Sequence, residues 1–454
     1  MLFALLLLAG LTDWVPMRWI SPDPKSLELL KGTPINCVLL DQHDISPQFI
    51  KAAAAAGVST LEVVHPSEKA TEEVRQAIDA KVAGVVLEGD FEDATAQRIR
   101  NTLTDSRVPL IELLARSQMN LDHSAPVIGT YQGVWPGVQV ETSGSTKAAP
   151  SGAPWIDTNT GFLRFVRAAT KATVWIANTP PQKLVVTTDR YMQAISDAEM
   201  NGARWVIALD ADFSKRLLAR EPVALKDWAL ISNHLAYYEH HNEWRGLKPA
   251  GELALVTDVA SGGLLSGGIL DMIATKHTPV RPIPTRQLDD AAIKNSKMAV
   301  DVDAATLTPE QKDVLRRFTR AGGTLLSAPP GWKFPELKPE QITLSDNDVK
   351  VLDEIWKELN TMTGRRNLGA RLFNVSSMLS NLLQSPDGKE TLLQLVNYSG
   401  FPVENVTVHM LGKFSRARLM MPDGTNKTLP VYDNEEGTGI DIDKIGVSAT
   451  LLLE

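Results

Sequence analysis

The chain has 454 residues, 43% of them hydrophobic and 22% charged, with a formal net charge of −8. That length exceeds a single core and implies about two or three domains, and the composition is that of a folded rather than a disordered chain. An acidic balance with no Lys/Arg-rich block argues against nucleic acid as a partner, because displacing counterions from phosphates needs a basic patch.

The chain opens with the apolar run Met1-Leu2-Phe3-Ala4-Leu5-Leu6-Leu7-Leu8-Ala9-Gly10. The run is too short to span a bilayer, which takes about 20 residues. It fits the core of a secretory signal peptide, with small Ala9 and Gly10 near a cleavage point. Residues 1–12 are therefore expected to be removed, and the protein to be exported to the periplasm or beyond the cell. No Lys or Arg precedes the run, and a buried N-terminal strand or helix is the alternative. No later segment predicts a membrane span. The single cysteine, Cys37, excludes an intrachain disulfide and reads as a packed strand residue.

From about residue 34 short β-rich runs alternate with helix-patterned stretches, at an interval of roughly 25 residues. The runs are 35–40, 60–64, 84–87 and 109–113, and the helical stretches 46–56, 71–80 and 93–103. Further strands are expected at 127–130, 173–177 and 205–209, and helices at 162–169 and 191–201, with a Gly/Pro/Ser-rich insertion over 131–160. Seven strands can be counted this way. The leading expectation is a (β/α)8-type barrel over 13–246, and an open doubly wound sheet is the alternative.

A second β/α set follows over 247–335, with strands at 253–257, 298–302 and 324–327 and helices at 264–275 and 309–321. This predicts a Rossmann- or flavodoxin-like domain. Its glycine pairs Gly262-Gly263 and Gly267-Gly268 do not match G-x-G-x-x-G, so they read as a tight turn into a helix. No cofactor and no metal are expected. A linking helical segment over 336–375 leads to β-patterned runs over 376–454, read as a small antiparallel β-sandwich.

Barrel, amidotransferase-like domain and sandwich, in that order, resemble the β-galactosidases that carry a trimerisation domain between barrel and sandwich. Two segments carry the likeness. One is Leu307-Thr308-Pro309-Glu310-Gln311 leading to Phe318 and Ala321-Gly322-Gly323-Thr324-Leu325-Leu326. The other is Val396-Asn397-Tyr398-Ser399 followed by Val403-Glu404-Asn405-Val406-Thr407. The resemblance implies a glycoside-hydrolase fold, a carbohydrate ligand and a homo-oligomer, a trimer by analogy. Those enzymes carry an Asn-Glu pair after the fourth strand and a second Glu after the seventh. Here the corresponding runs, counted from 35–40, read Ile111-Glu112 and Leu209-Asp210.

Carboxylates recur at the expected strand ends: Asp41, Glu62, Glu88, Glu112 and Asp210. In a β/α barrel those ends converge on one mouth, where a glycosidase keeps one carboxyl protonated and another ionised. Glu112 and Asp210 are the candidate acid and base, and Asp41, Glu62 and Glu88 line the expected pocket. Each could instead cap the helix that follows it. Aromatic and polar residues of the insertion, Tyr131, Gln132, Trp135, Trp155, Asp157 and Asn159, are candidates for stacking on and bonding to a sugar, and Arg116 and Arg164 for holding an acidic one, a surface ion pair being the alternative for both arginines. A non-catalytic carbohydrate-binding or scaffold protein on the same architecture is the rival reading. Esterase or protease chemistry has no G-x-S-x-G motif to rest on.

Overall fold

The computed structural model describes residues 10–41, 45–121, 125–136, 158–180, 185–258, 262–302, 304–328, 342, 345–375 and 377–454. They form two compact units, one of residues 1–133, 172–186 and 203–236, the other of 134–171, 187–202 and 237–454.

The first unit holds an eight-stranded parallel sheet in sequential order. Its strands are β1 (Pro16–Arg18), β2 (Cys37–Asp41), β3 (Ser59–Val64), β4 (Gly84–Glu88), β5 (Leu110–Leu114), β6 (Val127–Thr130), β7 (Thr173–Ala177) and β8 (Ala203–Val206). The sheet closes on itself: the Arg18 N–H donates to the Ile207 carbonyl at 2.8 Å and the Ile207 N–H to that of Pro16 at 3.3 Å. This is the expected barrel, and the open sheet is excluded. The strand missing from the sequence count is β1. Its three residues, Pro16-Met17-Arg18, are too few to establish a period of two. Every later strand therefore moves up by one, so Glu112 belongs to the fifth strand and Asp210 follows the eighth.

Side chains alternate across each strand. Trp14, Cys37, Leu39, Leu61, Val63, Val86, Ile111, Leu113, Val127, Trp175, Ala177 and Val206 fill the barrel interior. Val64, Val85, Leu87 and Leu110 face the other way, onto Val74, Ala77, Ile99 and Leu103. The latter belong to helices α2 (Ala70–Ala80) and α3 (Asp93–Ser106), which follow α1 (Pro47–Ala55). In β6 the interior has no room for a side chain at Gly129: a Cβ there would lie 2.4 Å from Leu113 Cδ2 and 2.8 Å from the Trp175 carbonyl oxygen.

Next in the chain come α4 (Thr160–Ala169), α5 (Thr188–Met200), α6 (Ala211–Leu218) and α7 (Pro222–His240). α4 and α5 fall within the second unit. That unit also carries the short β9 (Lys248–Pro249) and a parallel sheet of β10 (Leu253–Thr257), β11 (Val280–Pro284), β12 (Met298–Asp301) and β13 (Thr324–Ser327). The sheet order β11-β10-β12-β13 is that of a doubly wound domain, as expected. Its helices are α8 (Gly262–Ala274), α9 (Asp290–Ile293), α10 (Pro309–Arg320) and α11 (Asp346–Thr363). α10 starts where the sequence predicts. Thr308 accepts from the Gln311 N–H while the Gln311 side chain accepts from that of Thr308, with Pro309 at the first position.

The remaining strands are β14 (Ala370–Phe373), β15 (Met378–Gln384), β16 (Thr391–Asn397), β17 (Val403–Leu411), β18 (Ala417–Met420), β19 (Asn426–Leu429), β20 (Val431–Asn434), β21 (Gly437–Ile445) and β22 (Ser448–Leu453). They form two sheets, β14-β17-β21-β20 and β19-β18-β22-β16-β15-β9. All the pairings in these two sheets are antiparallel. Leu393, Leu395, Val406, Val408, Met410, Ile440, Ile442 and Leu451 pack together in one core. This is the expected sandwich.

Candidate functional site

The C-terminal ends of β1 to β4 point one polar side chain each into the top of the barrel. Arg18, Asp41 and Glu88 share the interior parity of Trp14, Leu39 and Val86, and His65, just past β3, that of Val63. Arg18 Nη2 donates to Glu88 Oε1. Both side chains are mostly buried, at 17% and 12% exposure, and Arg18 Nε and Glu88 Oε2 have no hydrogen-bond partner among the described residues. Beside them His65 Nε2 lies 3.6 Å from Asp41 Oδ1, an ion-pair distance, with the two side chains 57% and 46% exposed. Asp41 raises the His65 pKa above its ordinary value, partial burial opposes this, and Glu88 adds to the rise while Arg18 works against it. Charges thus alternate along four adjacent strands: cation, anion, imidazole, anion.

Two further groups extend this set. Asp90, just beyond β4, accepts from the Tyr131 hydroxyl at 3.0 Å and from the Ala115 N–H at 3.2 Å. Tyr131 follows β6 and packs against the barrel core. Gly89, between Glu88 and Asp90, has a φ of +115°, and a Cβ there would meet Pro66 at 2.9 Å. A glycine is needed for the β4 turn to pass so close to the residue after His65.

Several expected site residues lie elsewhere. Glu112 sits on the outer face of β5, where Arg100 of α3 donates to its Oε1 at 2.6 and 3.1 Å. The assignment of Glu112 as catalytic acid is therefore corrected: its alternation turns it into the helix layer. Glu62 is corrected for the same reason. It shares the parity of Val64, is 2% exposed, and burial pushes its pKa up to about 7, with Glu73 of α2 adding to the shift. Asp210 caps α6, accepting from the Phe213 N–H at 2.9 Å, and also accepts from the Val186 N–H at 3.3 Å. It does the capping work that was the alternative for it.

Arg116 and Gln132 hold each other. Gln132 Oε1 accepts from the Arg116 N–H at 2.7 Å, and the Gln132 carbonyl from Arg116 Nε at 3.0 Å. Trp135 is 4% exposed and meets Tyr191 edge-on at 5.5 Å, so it is a packing anchor rather than an open stacking surface. Asn159 is fully buried. Its amide bonds both the N–H and the carbonyl of Val134 at 2.8 Å, and donates to Asp197 at 2.9 Å. It clasps the chain rather than presenting a donor to a ligand. Trp155 and Asp157 lie outside the described residues.

Sequence reasoning missed Arg18, His65 and Asp90. Arg18 was lost with β1. His65 stands one residue past the apolar run, and Asp90 two residues past β4, where alternation no longer labels them. After β7 the chain reads Ala177-Asn178-Thr179-Pro180, and the next carboxylate is Asp189. Asn178 Nδ2 donates to the Gly133 carbonyl at 2.6 Å. No group of three or more His, Cys, Asp or Glu among the described residues is arranged to hold a metal. A cleft of about 620 Å³ opens at the N-terminal ends of β2 and β3, lined by Leu27, Leu30, Lys31, Ile35, Asn36 and Val58 among others. It shares no residue with the mouth, and we place no chemistry there.

No family model and no curated protein matches this sequence. Solved structures do. The chain is similar to α-L-fucosidase isoenzyme 2 from Paenibacillus thiaminolyticus, with a TM-score of 0.61 and 10% identity, over 97% of this chain and 98% of that one. A rhamnosidase from Novosphingobium sp. PP1Y matches with a TM-score of 0.42 and 10% identity, over 90% of this chain and 39% of that one. A GH42 β-galactosidase from G. stearothermophilus matches at 0.32 and 11%, over 90% and 66%. The first likeness shows a glycoside-hydrolase-like fold along the whole chain; the other two scores are too low to add to it. A shared fold at this identity fixes architecture, and activity rests on the site.

Proposed function

We propose that the protein binds a carbohydrate at the barrel mouth, on Arg18, Asp41, His65, Glu88, Asp90 and Tyr131. The observation that carries this reading is the convergence of charged side chains at the ends of four adjacent strands. Two of its atoms, Arg18 Nε and Glu88 Oε2, have no hydrogen-bond partner among the described residues. Buried polar atoms are rarely left unsatisfied, and a hydroxyl-rich ligand supplies both donors and acceptors. The C-terminal mouth is where barrel proteins of this kind bind, and the fold is shared with an α-L-fucosidase.

Hydrolysis is the second reading, and one observation favours it. With β1 counted, Glu88 ends the fourth strand, the position that carries the acid/base Glu in the β-galactosidases the sequence resembles. Against it, no Asp or Glu stands among residues 178–188, directly after the seventh strand. Export is proposed on the apolar run at the N-terminus, and assembly into trimers on the resemblance alone.

Saturation-transfer NMR with L-fucose, L-rhamnose and D-galactose tests the binding reading. Transfer to at least one sugar, abolished in Arg18→Gln, is expected. Transfer to none, or transfer unaffected by Arg18→Gln, would contradict it.

A further inference from the structure

We propose that His65 is a catalytic proton donor, acting on the leaving oxygen of a glycoside bound at the mouth. This rests on the binding reading above and goes beyond it by assigning a reaction and the residue that transfers the proton.

Among the described residues at the mouth, His65 is the group placed to give a proton. A glycoside leaves poorly unless its oxygen is protonated, so the site needs a group that carries a proton at working pH and can reach solvent. Glu88 accepts from Arg18 and is mostly buried. Asp90 is already engaged as an acceptor by two hydrogen bonds, from the Tyr131 hydroxyl and the Ala115 N–H. Asp41 is the acceptor facing His65. His65 remains: more than half exposed, with Nε2 turned to Asp41 and Nδ1 turned away from it. Among the described residues three charged groups face the ring, Arg18 from β1, Asp41 from β2 and Glu88 from β4, and the two anions outweigh the cation in favouring the imidazolium. Asp41 is then a positioning residue, holding the ring and its proton as a carboxylate does in a His-carboxylate pair.

The step balances without any group the chain lacks. His65 gives the Nδ1 proton to the leaving oxygen as the anomeric C–O bond breaks and its electron pair passes to that oxygen. The positive charge left on the sugar is stabilised by Glu88. Water adds to the anomeric carbon from the side the leaving group vacated and gives its proton to neutral Nδ1. The imidazolium is restored and the sugar is released with its configuration retained.

Leaving-group dependence tests this on the full chain. Wild type, His65→Gln and Asp41→Asn are assayed on methyl and 2,4-dinitrophenyl glycosides of the sugars above. The dinitrophenolate leaves without a proton, so His65→Gln should slow the methyl glycoside by about 100-fold or more and the dinitrophenyl glycoside far less. The alkaline fall in kcat/KM should vanish in His65→Gln and move to lower pH in Asp41→Asn, which a merely structural role for Asp41 would not produce. His65 is exposed, so folding should survive its loss, and the thermal transition checks this. Equal slowing of both substrates, or an alkaline limb unmoved in Asp41→Asn, would overturn the proposal. Sugar binding by NMR with no turnover of any glycoside by wild type would overturn it and leave the binding reading intact. Absence of sugar binding would remove both.

Discussion

Whether a carboxylate on a barrel strand is chemical or structural turns on a single position of alternation. Glu88 and Glu62 sit on strands one apart in the barrel, yet one ends in the mouth and the other in the helix layer. Glu62 is 2% exposed and holds its proton up to a pH of about 7. Its folded pKa is raised, so folding is favoured while both states are protonated, below about 4.5. That advantage is lost as pH climbs through the folded value. Above pH 7 stability is lower than near pH 4 by on the order of 1–3 kcal/mol from this residue. Glu62→Gln, which cannot ionise, should therefore stabilise the protein at pH 8 and leave stability near pH 4 almost unchanged. Urea unfolding at the two pH values measures this, and an equal effect at both would be wrong for a buried, proton-holding Glu62. Glu112→Gln removes only a partly exposed ion pair with Arg100. It should cost well under about 1 kcal/mol and leave ligand binding untouched.

Among elements, α5 ties the second unit together through one buried carboxylate. Asp197 accepts from the Tyr398 hydroxyl at 2.6 Å, from Thr160 Oγ1 at 2.9 Å, and from the Asn159 amide and N–H at 2.9 and 3.0 Å. Burial raises its pKa, and these hydrogen bonds pull it back. Asn159 in turn holds Val134, so the start of α4, the end of β16 and the chain at 134 share one anchor. Asp197→Ala strands several buried donors and should cost roughly 3 kcal/mol or more, seen as a fall in the denaturation midpoint. A change under about 0.5 kcal/mol would mean the network is not a stability element. Most elements were legible in the sequence because apolar runs and caps announce them: the barrel strands from β2 onward, α10 with its capping box, and the sandwich. What was not legible came from β1, whose three residues carry no period. Its absence moved the strand count by one and drew attention to Glu112 and Asp210. The inward or outward sense of Glu62 and Glu112 was readable from neighbouring Leu61, Val63, Ile111 and Leu113, once interior positions are assigned by alternation. The partner that makes Asn159 structural, Asp197, is 38 residues away and no local pattern reveals it.

At the scale of the whole molecule, a glycoside-hydrolase-like fold covers 97% of the chain, while residues 178–188 after the seventh strand hold no Asp or Glu. On the proposed reading the fold is a scaffold that carries the site on the polar ends of β1 to β4. Trimerisation through the domain after the barrel is expected from the resemblance. Light scattering should give about three times the 49.6 kDa chain mass, and a monomer at micromolar concentration would remove that expectation. The central claim is that the mouth, and not the outer face of β5, meets the ligand. It is tested most directly by calorimetric titration of the responding sugar into wild type, Glu88→Gln and Glu112→Gln. A loss of at least about tenfold in affinity is expected for Glu88→Gln, equivalent to about 1.4 kcal/mol, with Glu112→Gln matching wild type. Weakened binding in Glu112→Gln with Glu88→Gln unchanged would contradict the account.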